Sequence, residues 1–387
     1  MNKNGFIHLK VHSEFSLVDS VISIPSLINS SLEKNMPAIA LSEEANTFSL
    51  VKFYNKAKSK GIKPIIGSDV LFKRRLSDSD SYRMTLLCKD NYGFKNLSKL
   101  LSLAHSKGRF NDKSFIIEEW LSSERLKGLI ALSGGQFGEI GQKILAKKDQ
   151  DIQYTLKYWL ELFPDNFYLE LQKLGRPNED NYIENALQIA TSYSIPVVAT
   201  NDVRFISKED FSSHETRVAI QDKVILSDPS RLKKYTKHQY LKSSAEMEKV
   251  FAEIPEALEN TTEIAKRCNF FLDSGKPIFP VFTPPNGNST KEYLKERSLE
   301  GLKKRIIDGN LNKEKESDYL ERLNYELTTI CEMGFEGYFL IVADFIDWSN
   351  NNLIPVGPGR GSGAGSLVAF VLEITDVDPI IHDLLFE

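Results

Sequence analysis

The segment Ile7-His8-Leu9-Lys10-Val11-His12 alternates apolar with polar side chains, the period of a strand whose two faces meet different surroundings. With Phe6 in front, it opens a series of short apolar runs: Ala38 to Leu41, Pro64 to Ile66, Met84 to Cys88, Leu129 to Leu132, Phe167 to Leu171 and Val197 to Thr200. Amphipathic helical patterns lie between most of them. Such βα repetition predicts an α/β fold built as a parallel barrel or a doubly wound sheet. Polar residues follow the runs: His12 and Glu14, Glu43 and Glu44, Asp69, Ser133, and Asn201 with Asp202. In a βα barrel the C-terminal strand ends form the site face, so these residues are expected to converge on one pocket.

His8, His12, Asp19, Glu43, Glu44, Asp69 and Asp202 offer the donor types that hold a divalent metal. Two cations oppose that use. Lys10 stands between the two histidines on the same alternating face, where an ammonium repels a metal ion, and Arg204 does the same beside Asp202. The electrostatics disfavour metal-dependent hydrolysis, and histidines that are simply hydrogen-bonded are the ordinary alternative.

After about residue 270 the character changes. Pro277, Pro280, Pro284 and Pro285 with Asn286-Gly287-Asn288-Ser289 form a breaker-rich connection, so a first domain is placed at 1–270 and a second at 271–387. Thr290 to Asp308 and Asp318 to Glu332 read as charged amphipathic helices. Farther on stands Gly357-Pro358-Gly359-Arg360-Gly361-Ser362-Gly363-Ala364-Gly365-Ser366, running into the apolar Leu367 to Leu372. Glycines leave backbone amides uncovered, and the apolar run predicts a helix whose N-terminus faces the loop, the elements of a phosphate cradle. Arg360 adds a fixed charge, and Ser362 and Ser366 add hydroxyls. No Gly-Lys-Ser/Thr closes the loop as in a Walker A sequence, and a dinucleotide fingerprint lacks its downstream acid.

Composition bounds the rest. The 387 residues, 41% hydrophobic, suffice for two or three domains with sizeable cores. No stretch approaches the roughly eighteen apolar residues of a membrane span, and the N-terminus lacks the apolar core of a signal peptide, which makes the cytoplasm the expected location. Cys88, Cys268 and Cys331 stand too far apart in sequence for a zinc cluster or a disulfide framework. A net charge of −4 requires any nucleic-acid contact to be a local patch. Arg231 to Lys242, with Lys233, Lys234, Lys237 and Lys242 among Tyr235, His238 and Tyr240, is the candidate, although solvated surface is the favoured reading. Ser77 to Ser81 reads as a surface turn.

Several segments together resemble the N-terminal third of the bacterial DNA polymerase III alpha subunits, the C-family replicative polymerases. They are His8 to Ser13, Gly61-Ile62-Lys63-Pro64-Ile65-Ile66-Gly67, Val198 to Phe205, Met333 to Val342, and the glycine loop continuing to Ile374-Thr375-Asp376-Val377-Asp378-Pro379. The resemblance implies a polymerase-and-histidinol-phosphatase (PHP) domain, a distorted βα barrel, followed by an incomplete beta-nucleotidyltransferase-like palm. Members with a working PHP metal centre carry His at the positions of Lys10 and Arg204, an Asp-His pair at Glu43-Glu44, and Cys at about Gly135. This chain therefore resembles the proteobacterial type, whose PHP domain is metal-free and docks the proofreading exonuclease subunit.

The same resemblance implies template-directed synthesis of DNA from dNTP on a primer-template, by a two-metal mechanism whose Mg2+-binding carboxylates lie downstream of Glu387. Arg360, Gly361, Ser362, Gly363 and Ser366 match the segment that contacts the triphosphate. Asp376-Val377-Asp378 matches a structural turn, so no catalytic residue is assigned within the chain. Sliding clamp and other replisome subunits would bind through regions absent here. A stand-alone interaction module and a metal-dependent phosphoesterase are the alternatives.

Overall fold

The computed structural model describes all residues except 1–4, 18, 274, 276–279, 286, 310–314 and 387. Pro277 and Asn286 of the breaker-rich connection therefore lie outside the described residues. The chain divides into two compact units, Met1–Asp273 and Ser274–Glu387, a few residues beyond the boundary placed at 270.

Among the described residues the first unit holds eight strands: β1 (Ala38–Glu44), β2 (Lys63–Lys73), β3 (Tyr82–Cys88), β4 (Arg109–Phe110), β5 (Lys113–Ile117), β6 (Leu129–Leu132), β7 (Phe167–Leu171) and β8 (Val197–Ala199). β2 is long enough to pair in parallel with β1 along its first part and with β5 along its last residues, while β3 runs antiparallel on its other edge. β6 is antiparallel to β3, and β7 and β8 continue in parallel. The fold is thus not a pure βα repeat. β2 and β3 form a hairpin whose exposed turn contains the serine-rich stretch, so Met84–Cys88 runs against its neighbours.

Phe6 to Val11, predicted as a strand, forms no regular one. His8 O accepts from Ala40 N at 2.8 Å and Val11 O accepts from Ser42 N at 2.8 Å, so His8 to Val11 spans one residue more than the Ala40 to Ser42 it faces. An extra residue of this kind is a bulge, and it puts Leu9 and Lys10 on the same side of the chain. On its other edge the segment pairs with the residues after β8, through Val203 N to Lys10 O (3.1 Å) and His12 N to Val203 O (3.0 Å). This irregular stretch closes the sheet into a distorted barrel.

Alternation along the strands sorts two cores. Ala38, Ala40, Ile65, Leu87, Ile130, Leu132, Tyr168 and Val198 pack inside the ring with Ile7 and Leu9, and Ile264 and Ala265 from the helix Pro255–Arg267, with Cys268 at its C-terminal cap, pack with them. Their strand neighbours Ile39, Leu41, Ile66, Leu86, Ala131, Leu169 and Ala199 join the cluster under the surrounding helices. Two residues farther along, the inner face turns polar, at Asp69 after Ile65 and Gly67 and at Glu170 after Tyr168.

In the second unit the helices Thr290–Ile307, Glu316–Glu332, Glu336–Asn351 and Leu367–Val371 pack around Leu294, Leu302, Tyr319, Leu323, Leu327, Leu340 and Phe370. Ser289 and Glu292 form a capping box at the first of them, which explains why that helix starts where it does. The described residues of this unit contain no strand. Among the described residues, no helix is long and apolar enough to cross a membrane.

Candidate functional site

Over the apolar interior of the ring lies a layer of buried charge. Lys10 Nζ stands 3.2 Å from Asp69 Oδ2 and 3.5 Å from Glu170 Oε1. The bulge that puts Lys10 beside Leu9 on the inner side is what brings it there. Arg204, fully buried, donates from Nη1 to Asp19 Oδ2 and from Nη2 to Asp202 Oδ1, each at 2.5 Å. Arg176 Nη2 reaches the other oxygen of Asp202 at 2.7 Å, and Gln239 Nε2 donates to it at 2.9 Å. His12 faces Asp69 Oδ2 through Nε2 (2.9 Å) and Asp19 Oδ1 through Nδ1 (3.1 Å), with Arg204 Nη1 also against Nδ1. Tyr235 donates to Asp19 and Thr85 to Asp69.

These contacts set the protonation states. Burial and Arg204 both oppose charge on His12, but the carboxylates of Asp19 and Asp69 outweigh them and push its pKa up to about 9. Burial alone would raise Asp69, yet Lys10 and His12 pull it down to about 2. Asp19 and Asp202 are held below the usual carboxylate range against their burial, chiefly by Arg204, while Asp19 and Asp202 keep Arg204 charged. Lys10 is likewise held charged against burial by Asp69 and Glu170. The layer is a network of mutually compensated ions.

Such a network does not fit a metal. His12, Asp19 and Glu44 each offer a ligand atom, all within 4.8 Å of one another. Arg204 Nη1 already bonds Asp19 Oδ2 and abuts His12 Nδ1, so a cation there would have to displace a guanidinium.

Some predicted residues lie elsewhere, and Glu14 is exposed at the surface. Glu43 follows Ile39 and Leu41 on the outward face of β1, where its carboxylate accepts from Ser13 N (3.1 Å), from the Ser13 and Ser16 hydroxyls, and from Ser49 Oγ (2.9 Å). Period-two alternation already separates it from Glu44. His8 meets the Lys242 carbonyl at 2.8 Å, and burial lowers its pKa to about 4. Glu170 was missed although a lone acid inside the apolar run Phe167–Leu171 is a signal. Arg176 carried no signal. Tyr235, read as surface, belongs to the network.

The basic stretch 231–242 is only partly consumed inside the protein, and Lys234 is paired at the surface. Arg231 pairs with Glu215, Lys234 with Asp222 at 2.6 Å, and Lys242 donates to Asn201 Oδ1 at 2.6 Å. Lys233 and Lys237 remain exposed.

In the second unit the glycine loop lies between two helices. Gly357 to Gly363, with Arg360 and Ser362, are exposed. Ser366 is not part of that open surface. It is buried, its hydroxyl donates to Glu326 Oε2 at 2.9 Å, and it accepts from Ala369 N at 3.1 Å as the cap of Leu367–Val371. Leu367 N and Val368 N also donate to Glu326, each at 3.0 Å. An internal carboxylate thus fills the helix N-terminus expected to receive phosphate. Asp378 is buried and committed as well, accepting from Tyr319 Oη (2.5 Å) and Ile380 N (2.8 Å).

Residues 8–174 match the PHP domain family, and residues 292–387 match the family described as bacterial DNA polymerase III alpha NTPase domain. The first part of the chain is thus similar to PHP domains and the second to a DNA polymerase III alpha segment. It is 47% identical over 388 residues to the DNA polymerase III subunit alpha of Pseudomonas aeruginosa, with 99% of this chain and 33% of the relative covered. The subunits of Vibrio cholerae (46%) and Escherichia coli K12 (44%) each align over 391 residues, covering 100% of this chain and 34% of their own length. The chain therefore spans about a third of the curated relatives it matches. A solved amidohydrolase from Chromobacterium violaceum aligns with 55% of the chain at 13% identity and TM-score 0.36, covering 97% of its own chain. In the PHP-like unit the charge network occupies the polar layer, and in the second unit the loop carrying Arg360 is exposed.

Proposed function

We propose that the chain works as the N-terminal part of a replicative DNA polymerase alpha subunit, which extends a primer 3′-hydroxyl on template DNA with dNTP. The observation that carries this reading is the 44–47% identity running through both units to subunits of that name. The exposed Gly357–Gly363 loop supports it, because Arg360, Gly361, Ser362 and Gly363 present charge, amides and a hydroxyl to solvent where a triphosphate can reach them. Mg2+ is assigned to carboxylates beyond Glu387, since Asp378 is spent on a turn. The PHP unit acts without a metal, as the docking platform for the proofreading exonuclease, because its donors are already neutralised by Lys10 and Arg204. Sliding clamp and other replisome subunits bind through regions outside this chain, in the cytoplasm.

Primer extension with dNTP and Mg2+ tests the assignment. The full-length subunit incorporates nucleotide and residues 1–387 alone do not. Arg360→Ala in the full-length subunit weakens dNTP use by about 1.5–3 kcal/mol, the range of a charge-assisted contact. Extension by residues 1–387 that Asp376→Asn abolishes would relocate the active site, and an unchanged dNTP dependence in Arg360→Ala would remove the loop from it.

A further inference from the structure

We propose that Glu326 is a positioning residue for the triphosphate loop, a built-in anion that occupies the helix N-terminus and thereby fixes where the exposed loop stands. The inference rests on the reading of Arg360–Gly363 as the triphosphate contact.

Glu326 is fully buried on the helix Glu316–Glu332. Its Oε1 accepts from Leu367 N (3.0 Å) and Arg322 Nε (2.7 Å), and its Oε2 accepts from Ser366 Oγ (2.9 Å) and Val368 N (3.0 Å). An ionised carboxylate has about four acceptor positions, and these donors fill them. Arg322 then carries the anchor onto the loop itself, donating from Nη2 to Gly365 O at 3.0 Å and to Leu384 O at 3.2 Å. Gly365 passes so close to its neighbour that a Cβ there would lie 2.0 Å from Leu385 O.

The other end of the loop is held by a different segment. Asp376 N donates to Pro358 O at 3.1 Å, and Gly359, at φ +99°, leaves no room for a side chain beside Thr375. Between the two anchors, Arg360 to Gly363 stand exposed. A free helix N-terminus attracts any anion, including a phosphate. With Glu326 in that place the triphosphate is directed to the projecting amides and Arg360, whose geometry is set before the ligand arrives, which reduces the ordering cost of binding.

Steady-state primer extension by the full-length subunit separates this role from a merely structural one. Glu326→Gln keeps the volume but turns an amide nitrogen toward donors, and raises the KM for dNTP about tenfold, the equivalent of one disrupted buried hydrogen-bond site. Primer-template affinity stays at the wild-type value. Arg322→Lys, which loses the bonds to Gly365 and Leu384, shifts the KM in the same direction by less, and decides the matter if Glu326→Gln does not fold. In an Arg360→Ala background Glu326→Gln adds little further, because the group it positions is gone.

Independent, fully additive effects would overturn the proposal, as would a folded Glu326→Gln variant with lowered thermal stability and an unchanged KM. If Arg360→Ala itself leaves the KM unchanged, the loop reading fails and this inference fails with it. A raised KM in Arg360→Ala beside a wild-type KM in Glu326→Gln and Arg322→Lys defeats the positioning role alone.

Discussion

Arg204 shows how much one buried cation decides. It bonds Asp19 and Asp202 and takes no solvent, so Arg204→Leu would remove the cation the two share and leave Asp202 to Arg176 and Gln239, and Asp19 to His12 and Tyr235. The expected loss is about 3–5 kcal/mol in denaturant unfolding of the first unit, the range for breaking a buried pair from one side. His12 makes the first unit pH-dependent. Its folded pKa of about 9 exceeds the ordinary 6.5, so its contribution is complete below pH 6.5 and is lost as pH rises toward 9. Lys242, lowered to about 8 by burial, acts in the opposite sense, adding stability as pH rises beyond that value. Thermal melting should therefore fall between pH 6.5 and 8, and His12→Gln should flatten that slope. At this scale Lys10 and Arg204 stand out in the sequence as cations among candidate metal donors, and the structure pairs both with neighbouring carboxylates. Glu43 was misplaced because two adjacent acids were taken together, although a strand sends them to opposite faces.

Among the elements, β1, the start of β2, β3, β6, β7 and β8 were recognisable from apolar runs, since strands lined on both faces by core read as continuous apolar sequence. β5 was not, because its five residues begin with Lys113-Ser114 and only Phe115 and Ile116 are buried. The bulge at Leu9-Lys10 escaped an alternation argument that assumes regular pairing, and the β2–β3 hairpin escaped one that assumes a helix between strands. The helix Leu367–Val371 was legible from its apolar residues, but its partner Glu326 was not, because nothing local links positions forty residues apart. Ser366→Ala tests the cap directly. It should cost the second unit about 1 kcal/mol, typical of a lost N-cap, plus whatever Glu326 loses, in denaturant unfolding of the 387-residue chain. No change would mean that the cap does not hold the helix.

For the whole molecule, the chain forms two compact units, each with its own hydrophobic core, and the proline-rich change of character near residue 270 lies close to their boundary. Within the first unit, Lys10 and Arg204 are spent on Asp19, Asp69, Asp202 and Glu170. In the ring, Lys10 and Arg204 stand among the carboxylates that a metal would otherwise need. Elemental analysis of the purified 387-residue chain, after exposure to zinc, manganese and iron at neutral pH and gel filtration, measures this most directly. The account predicts substoichiometric metal, with the same result in His12→Ala. One or more ions retained per chain, and lost in His12→Ala, would contradict it.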